Sequence, residues 1–339
     1  MNTSVKTVTL GRTGINVNRV GFGAIPIQRI SLDDAAYLLR KAYNAGINFY
    51  DTAWGYTDSE EKIGYALSDV RENIVIATKT PARDPDTFRE NLDTSLERLK
   101  CGYIDIYQFH NPPFYPRPGD GTGLYEAMLE AKEKGLIRHI GLTNHRLAVA
   151  KEAVESDLYD TLQFPFNYLS NENEIALVRL CRERNVGFIV MKALSGGMIT
   201  NAAAACAFLD QYDNVVPIWG MQRESELDEL ISYINNPPQL DDELLEVIKK
   251  DKLELSSAFC RSCGYCLPCS AGIDIPQAAR MAFLLRRSRP SLFLTEEWQQ
   301  KMKQIDDCTG CNHCKENCPY ELDTPSLLRE NLKDYLTFI

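Results

Sequence analysis

The sequence is poor in the features that would place it outside ordinary globular proteins. Its 339 residues contain no run of about 18 apolar residues, so a membrane-spanning helix is not expected. Residues 1–14 lack the apolar stretch of a secretory signal, and the expected location is cytoplasmic. Positive charge is not in excess: 37 Lys and Arg stand against 47 Asp and Glu, a net charge of −10, which argues against a broad basic surface for nucleic acid. Cysteine is sparse over the first 259 residues, where only Cys101, Cys181 and Cys206 occur, all read as small core residues. What is present, 44% hydrophobic and 25% charged residues with 20 Gly and 16 Pro, is enough for one large domain and a small one.

The other eight cysteines fall in two tight groups, Cys260/Cys263/Cys266/Cys269 and Cys308/Cys311/Cys314/Cys318. A disulfide scaffold would be short, with its cysteines spread along the chain. Two-residue spacing in a chain without a signal points to metal. A large domain over residues 1–250 with a metal-binding appendix over 251–339 is therefore expected.

The large domain alternates strand and helix patterns. Ala35, Leu38, Leu39 and Ala42 recur at i, i+3, i+4, i+7 between Ser31, with Asp34 three residues on, and Gly46, a natural helix stop. A short strand follows at 47–51. The alternation continues through strands at 74–79, 104–110, 137–143, 161–164, 187–192 and 215–219, and a first strand is expected at 17–22. A doubly wound dinucleotide fold would need G-x-G-x-x-G after that first strand. Gly21-Phe22-Gly23 is followed instead by Ala24, Ile25 and Pro26, without the third glycine. Eight strand–helix units match an α/β fold of the (β/α)8 TIM barrel type, whose chemistry lies at the C-terminal ends of the strands.

Three successive strands end in Asp51, Lys79 and His110, with Tyr56 five residues past the aspartate. An ammonium held by a carboxylate stabilises a phenolate, lowering the tyrosine pKa from about 10 towards the working range. Such a tyrosine can act as general acid while a carbonyl carbon receives hydride, and a histidine can orient the carbonyl oxygen. The alternative is an Asp–Lys ion pair with Tyr and His merely packed beside it.

Residues 49–56 (Phe-Tyr-Asp-Thr-Ala-Trp-Gly-Tyr), 74–79, 105–110 and 135–144, with the Leu10-Gly11-Arg12-Thr13-Gly14 cap, resemble the aldo-keto reductase family from about residue 8 to 235. The resemblance implies a catalytic tetrad of Asp51, Tyr56, Lys79 and His110, and NAD(H) or NADP(H) bound extended without a Rossmann fold. It further implies that Thr143 and Asn144 hold the carboxamide with Gln163 beside them. Leu194, Ser195 and Gly197, with Gly196, would approach the pyrophosphate, while Gly220, Gln222 and Glu226 would meet the adenosine. Gly23, Ala24 and Asp51 complete the implied cofactor contacts. Two departures stand out. Many members carry an aromatic residue where this chain has Lys192. NADPH-preferring relatives commonly carry Arg where this chain has Glu226, which inclines the reading to NADH, although Arg223 lies close by and can pair with a phosphate. Trp54 and the proline-rich stretch 110–118 are candidate substrate-pocket residues.

The second cysteine group reads C-x2-C-x2-C-x3-C-P, the bacterial ferredoxin run for a [4Fe–4S] cluster. Zinc sites usually use separated pairs or add histidines. The first group has a last gap of two and Ser270 where the proline would be. The appendix thus resembles a mainly helical dicluster ferredoxin-like domain with helices expected at 276–287 and 296–305. In such domains the fourth cysteine of each run ligates the other cluster. Cys260, Cys263, Cys266 and Cys318 would form one set, and Cys308, Cys311, Cys314 and Cys269 the other.

Nicotinamide moves electrons in pairs, whereas a [4Fe–4S] cluster normally passes one at a time. Three readings follow. The protein is a carbonyl reductase or alcohol dehydrogenase acting on a small carbonyl or alcohol, with structural or sensory clusters. Alternatively, it is an electron-transfer enzyme that couples the barrel to a redox partner protein, or a non-catalytic redox-sensing binding protein.

Overall fold

The computed structural model describes residues 6–255, 259–287 and 290–339. Its strands are β1 (Thr7–Thr9), β2 (Asn16–Asn18), β3 (Gly21–Gly23), β4 (Phe49–Asp51), β5 (Val75–Thr80), β6 (Ile104–His110), β7 (Ile137–Thr143), β8 (Thr161–Pro165), β9 (Gly187–Met191) and β10 (Val215–Gly220). Strands β3 to β10 pair in parallel and in chain order, and β10 closes on β3 to complete an eight-stranded barrel. β1 and β2 form a separate antiparallel hairpin.

The single strand expected at 17–22 is in fact two. Asn18 breaks it: its side-chain oxygen accepts from Val20 N at 3.0 Å, and its Nδ2 donates to Gly46 O at 3.3 Å. A local side-chain bond of this kind competes with the sheet ladder and turns the chain. Val17 consequently belongs to the hairpin, and only Gly21–Gly23 enters the barrel.

Period-two alternation layers the barrel interior. Phe49, Ala77, Ile106, Ile189 and Val216 form one apolar level, packed with Val8, Leu10 and Val17 from the hairpin and the turn after β1. Each fully buried Phe, Ile, Val or Leu side chain of this level contributes about 1.5–3 kcal/mol of transfer free energy. Two residues further along three of these strands stand Asp51, Lys79 and Gln108, so the next level is polar. The fold seals one end of the barrel with hydrocarbon and loads the other with hydrogen-bonding groups.

The chain divides into two compact units, one of Met1–Ala193 with Ala203–Asp241 and the other of Leu194–Ala202 with Asp242–Ile339. The described residues from 242 onward contain helices and no strand, the longer ones being Asp242–Glu254, Met281–Arg287, Glu296–Lys303 and Thr324–Tyr335. Met281, Leu285, Met302, Ile305, Leu328 and Tyr335 are buried together with Cys266 and Cys314 in this unit's core. The helix expected over 276–287 is interrupted, running as Ile275–Ala278 and Met281–Arg287. At the break Arg280 N bonds Gln277 O, while its Nε takes Pro276 O at 2.9 Å. The side chain thus satisfies the carbonyl that a regular α-turn would have used. Among the described residues no helix is long and apolar enough to cross a membrane.

Candidate active site and cysteine centre

Parallel register brings the strand-end groups together. Lys79 on β5 lies opposite Gln108 on β6, and Thr143 on β7 lies opposite Gln163 on β8. Lys79 Nζ donates to Asp51 Oδ1 at 2.6 Å and to Thr52 O at 2.5 Å, and neither the lysine nor the aspartate is more than 2% exposed. Burial pushes the Asp51 carboxyl up and the Lys79 ammonium down, and their direct contact opposes both shifts. Lys79 Nζ lies 5.3 Å from the centre of the half-buried Tyr56 ring. His110 meets that ring edge-on, with centroids 5.9 Å apart and planes at 82°. All four expected tetrad residues therefore share one place.

His110 titrates far from its usual range. Burial first, then the positive charges of Lys79 and Arg83, lower its pKa to about 3. The imidazole is accordingly neutral above that value, with one nitrogen able to donate and one to accept. The expected kcat/KM profile has no imidazole limb between about pH 5 and 8. A limb in that window that disappears in His110→Gln would show instead that the ring titrates there.

Gln108 was not among the sequence candidates, yet it connects the polar level. Its Nε2 donates to Gln163 Oε1 at 2.9 Å and reaches Asp51 Oδ2 at 3.5 Å, while its Oε1 accepts from Thr143 Oγ1 at 2.9 Å. The signal was available: Gln108 is a polar residue in an apolar strand, two positions before His110 and on the same face. Space for it comes from Gly141. A Cβ there would lie 2.7 Å from Gln108 Cγ and 2.6 Å from Thr161 Oγ1.

Of the residues expected around a nicotinamide, Thr143 ends β7, Asn144 follows it and Gln163 lies within β8, and several are already engaged. Asn144 Nδ2 donates to Pro112 O at 2.8 Å, and its Oδ1 accepts from Arg146 N at 2.8 Å. Gln163 Nε2 makes only a 3.4 Å contact with Asp51 Oδ1, leaving an amide donor weakly used. Trp219 on β10 has the opposite parity to the inward-facing Val216, so its buried Nε1, without a hydrogen-bond partner among the described residues, faces the helix layer and not this site. The weakly used Gln163 amide suits a polar ligand such as a nicotinamide carboxamide. At the end of β3, Gly23 lies against the β10 backbone, where a Cβ would come 3.1 Å from Trp219 O. Ala24 is fully buried and its N–H donates to Asp51 O at 2.8 Å. Lys192 follows β9 with φ of +61°, and its carbonyl accepts from Asn167 Nδ2 at 2.9 Å.

At the end of β10 Gly220 is exposed, and beyond it Gln222 N donates to Glu226 Oε2 at 3.0 Å. Glu226 also receives Arg223 N at 3.1 Å and the Arg223 guanidinium at 2.5 and 2.9 Å, which caps the helix Glu224–Asn235. The carboxylate is therefore an N-terminal cap, and Arg223 is committed to it.

Among the described residues of the C-terminal unit no disulfide joins the cysteines. A cavity of about 340 Å³ is lined by Cys269, Cys308, Cys311 and Cys314, with Cys266 also on its wall. The fourth cysteine of the first run thus stands with three of the second. Burial first, then the charges of Cys260, Cys263 and Cys314, pushes the Cys266 thiol up to about 12. Among the described residues no three His, Cys, Asp or Glu side chains converge as ligands of a single ion would. Four thiols spread round a cavity are instead the donor set of an iron–sulfur cluster, whose irons would hold them as thiolates.

Comparison with known proteins agrees with both halves. The model of the aldo/keto reductase family matches residues 19–205, and that of a 4Fe-4S dicluster domain matches residues 259–323. The chain is 30% identical over 218 residues to L-galactose dehydrogenase of Arabidopsis thaliana, covering 58% of this chain and 68% of that one. It is 29% identical over 233 residues to the NADH-specific methylglyoxal reductase of Escherichia coli, covering 58% and 69%. An aldo-keto reductase of Bacillus halodurans in its holo form superposes with a TM-score of 0.63 at 22% identity, over 73% of this chain and 96% of that one. One of Klebsiella pneumoniae in complex with NADPH gives 0.63 at 19% identity, over 73% and 95%. The closed parallel barrel and a family match over more than half its length make this chain a member of the aldo/keto reductase family of NAD(P)-dependent oxidoreductases, extended by a 4Fe-4S dicluster domain.

Proposed function

We propose that the protein reduces a small carbonyl compound to its alcohol, or runs the reverse reaction, with Tyr56 as general acid/base. The observation that carries this reading is the buried 2.6 Å Asp51–Lys79 pair, with its ammonium 5.3 Å from the Tyr56 ring. Bound nicotinamide supplies or accepts the hydride. Tyr56 OH gives its proton to the carbonyl oxygen as the carbon gains hydride, and the Lys79 charge stabilises the phenolate left behind. His110, neutral, donates to the same oxygen and fixes its direction. Asp51 keeps Lys79 in place, and Gln108 and Gln163 keep Asp51 in place.

NADH is the preferred cofactor in this reading, because the Arg223 guanidinium is taken up by Glu226 and the carboxylate repels a 2′-phosphate. Thr143, Asn144 and Gln163 would hold the carboxamide. The two cysteine sets would each hold one [4Fe–4S] cluster, which supplies one-electron steps. The thiol-lined cavity favours a second reading, in which the clusters pass electrons to a partner protein.

One anaerobic experiment addresses both. Holoprotein mixed with NADH and a small aldehyde should form alcohol in equal amount to NAD+, with kcat/KM for NADH at least tenfold above that for NADPH. Failure to form alcohol from a broad aldehyde panel overturns the reductase reading, and equal or better use of NADPH overturns the preference. Bleaching of brown absorbance by NADH alone would favour the electron-transfer reading.

A further inference from the structure

Glu60 is a buried carboxylate to which the proposed reaction gives no part. It is 1% exposed, in the first turn of the helix Ser59–Leu67. Its Oε1 accepts from Thr78 Oγ1 at 2.6 Å. Thr78 stands between the inward-facing Ala77 and Lys79 on β5, so by strand alternation it points to the helix layer. Glu60 Oε2 lies 3.7 Å from Nη1 of Arg98, on the helix Pro85–Leu99, and Arg98 is its one cationic partner among the described residues. Burial pushes the carboxyl up, and the bond from Thr78 is first among the contacts that oppose the shift. A buried pair of this kind is often no more stable than apolar residues of the same volume, so stability alone does not account for it.

Both partners lead to the backbone that carries Tyr56. Arg98 Nη1, the same nitrogen that approaches Glu60, donates to Trp54 O at 3.3 Å, and the guanidinium carbon lies 5.8 Å from the centre of the Trp54 ring. Trp54 N donates to Lys79 O at 3.0 Å. Lys79 Nζ bonds Thr52 O, and Thr52 Oγ1 is 2.9 Å from Ser59 Oγ, one residue before Glu60. Tyr56 N donates to Ala53 O at 2.9 Å, and Tyr56 O accepts from Ser59 N at 2.8 Å. The turn 52–58 is therefore held by β5 on one side and by Arg98 and the start of the Glu60 helix on the other. Thr57, a branched residue, has φ of +36° within it. Such a conformation persists only where the surroundings enforce it.

We propose that Glu60 is a positioning residue that, through Thr78 and Arg98, holds Tyr56 at its working distance from the Lys79 ammonium. This rests on the proposed role of Tyr56 as general acid. Without the carboxylate, Arg98 loses its anchor, Trp54 O loses a fixed donor, and the turn relaxes away from β5. The phenol then stands farther from the ammonium, and its pKa rises towards the ordinary tyrosine value of about 10. Lys79 on β5 and the neutral His110 on β6 face the ring, and Asp51 on β4 holds Lys79. Removing a negative charge near this group without moving the ring would favour the phenolate and lower the same pKa. The two effects have opposite signs.

The test is the basic limb of the kcat/KM profile for aldehyde reduction by the holoprotein with NADH, beside fluorescence titration of NADH. Activity falls as pH rises through the pKa of the general acid. Glu60→Gln keeps the shape and an acceptor for Thr78. It should move the limb up by about one pH unit and lower kcat roughly ten- to a hundredfold, with NADH affinity unchanged. Arg98→Met should do the same, and Arg98→Lys should restore part of the rate. The Arg98 side chain is 28% exposed, so this pair of variants carries the test if Glu60→Gln does not fold. Glu61, exposed and 3.6 Å from Arg98 Nε, is the control, and Glu61→Gln should leave rate and limb in place. A wild-type rate, a limb that stays or moves down, or an equal change in Glu61→Gln overturns the positioning role alone. A wild-type protein that reduces no aldehyde of a broad panel overturns the general-acid reading and this role with it.

Discussion

Tyr56→Phe is expected to lower kcat/KM for carbonyl reduction by roughly a hundred- to ten-thousand-fold, the range for loss of a general acid, while NADH affinity stays within about twofold. The substitution removes one oxygen from a half-buried ring. The edge-on packing on His110 and the approach of Lys79 are properties of the ring face and edge, so the phenylalanine keeps them. The loss should fall mainly on kcat, because the proton is transferred in the transition state rather than on binding. Steady-state kinetics with NADH and an aldehyde, beside fluorescence titration of NADH, separate the two effects. A variant that keeps more than half of the wild-type rate would refute the general-acid role. One that loses nucleotide binding in parallel would make Tyr56 a structural residue.

The second large effect is expected at Lys79. Lys79→Met removes the ammonium from a site with no exposure and leaves the Asp51 carboxyl buried against Gln108 and Gln163. Breaking a buried pair by removing one partner costs about 3–5 kcal/mol, and the phenolate loses its stabilising charge as well. The variant should therefore be both inactive and markedly less stable to urea. Asp51→Asn combined with Lys79→Met should regain most of the stability, since no unpaired charge remains, yet stay inactive. If Lys79→Met proves as stable as wild type, the pair is not buried in the way described. If the double variant turns over substrate, Lys79 does not tune Tyr56.

Both predictions concern residues that the chain announces locally. Asp51 and His110 end their strands, Lys79 stands one residue before the end of β5, and Tyr56 follows Asp51 by five residues. Short-range alternation is enough to place such residues at one end of a parallel barrel. The C-x2-C-x2-C-x3-C-P run is likewise a local pattern, because its ligand spacing is set by neighbouring backbone. Gln108 was legible in principle by the same alternation, but a single glutamine in a strand has no chemistry of its own until its neighbours are known.

The sequence by itself determined the order of strands and helices, the polar strand ends and the two cysteine groups, since each depends on residues a few positions apart. Tertiary structure alone decided which of these groups meet. Residues 51, 79, 108, 143 and 163 join in one network because parallel register aligns strands dozens of residues apart. Cys269 stands with the second cysteine run because the helices between the runs return the chain to one cavity. Glu226 also caps its own helix and holds Arg223, a pairing made where the backbone leaves free N–H groups at the helix start. The 194–202 segment follows β9 in the chain but packs with the C-terminal unit through Arg280 and Arg287. Contacts of that range depend on where distant backbone carbonyls come to rest, which no local pattern of residues encodes.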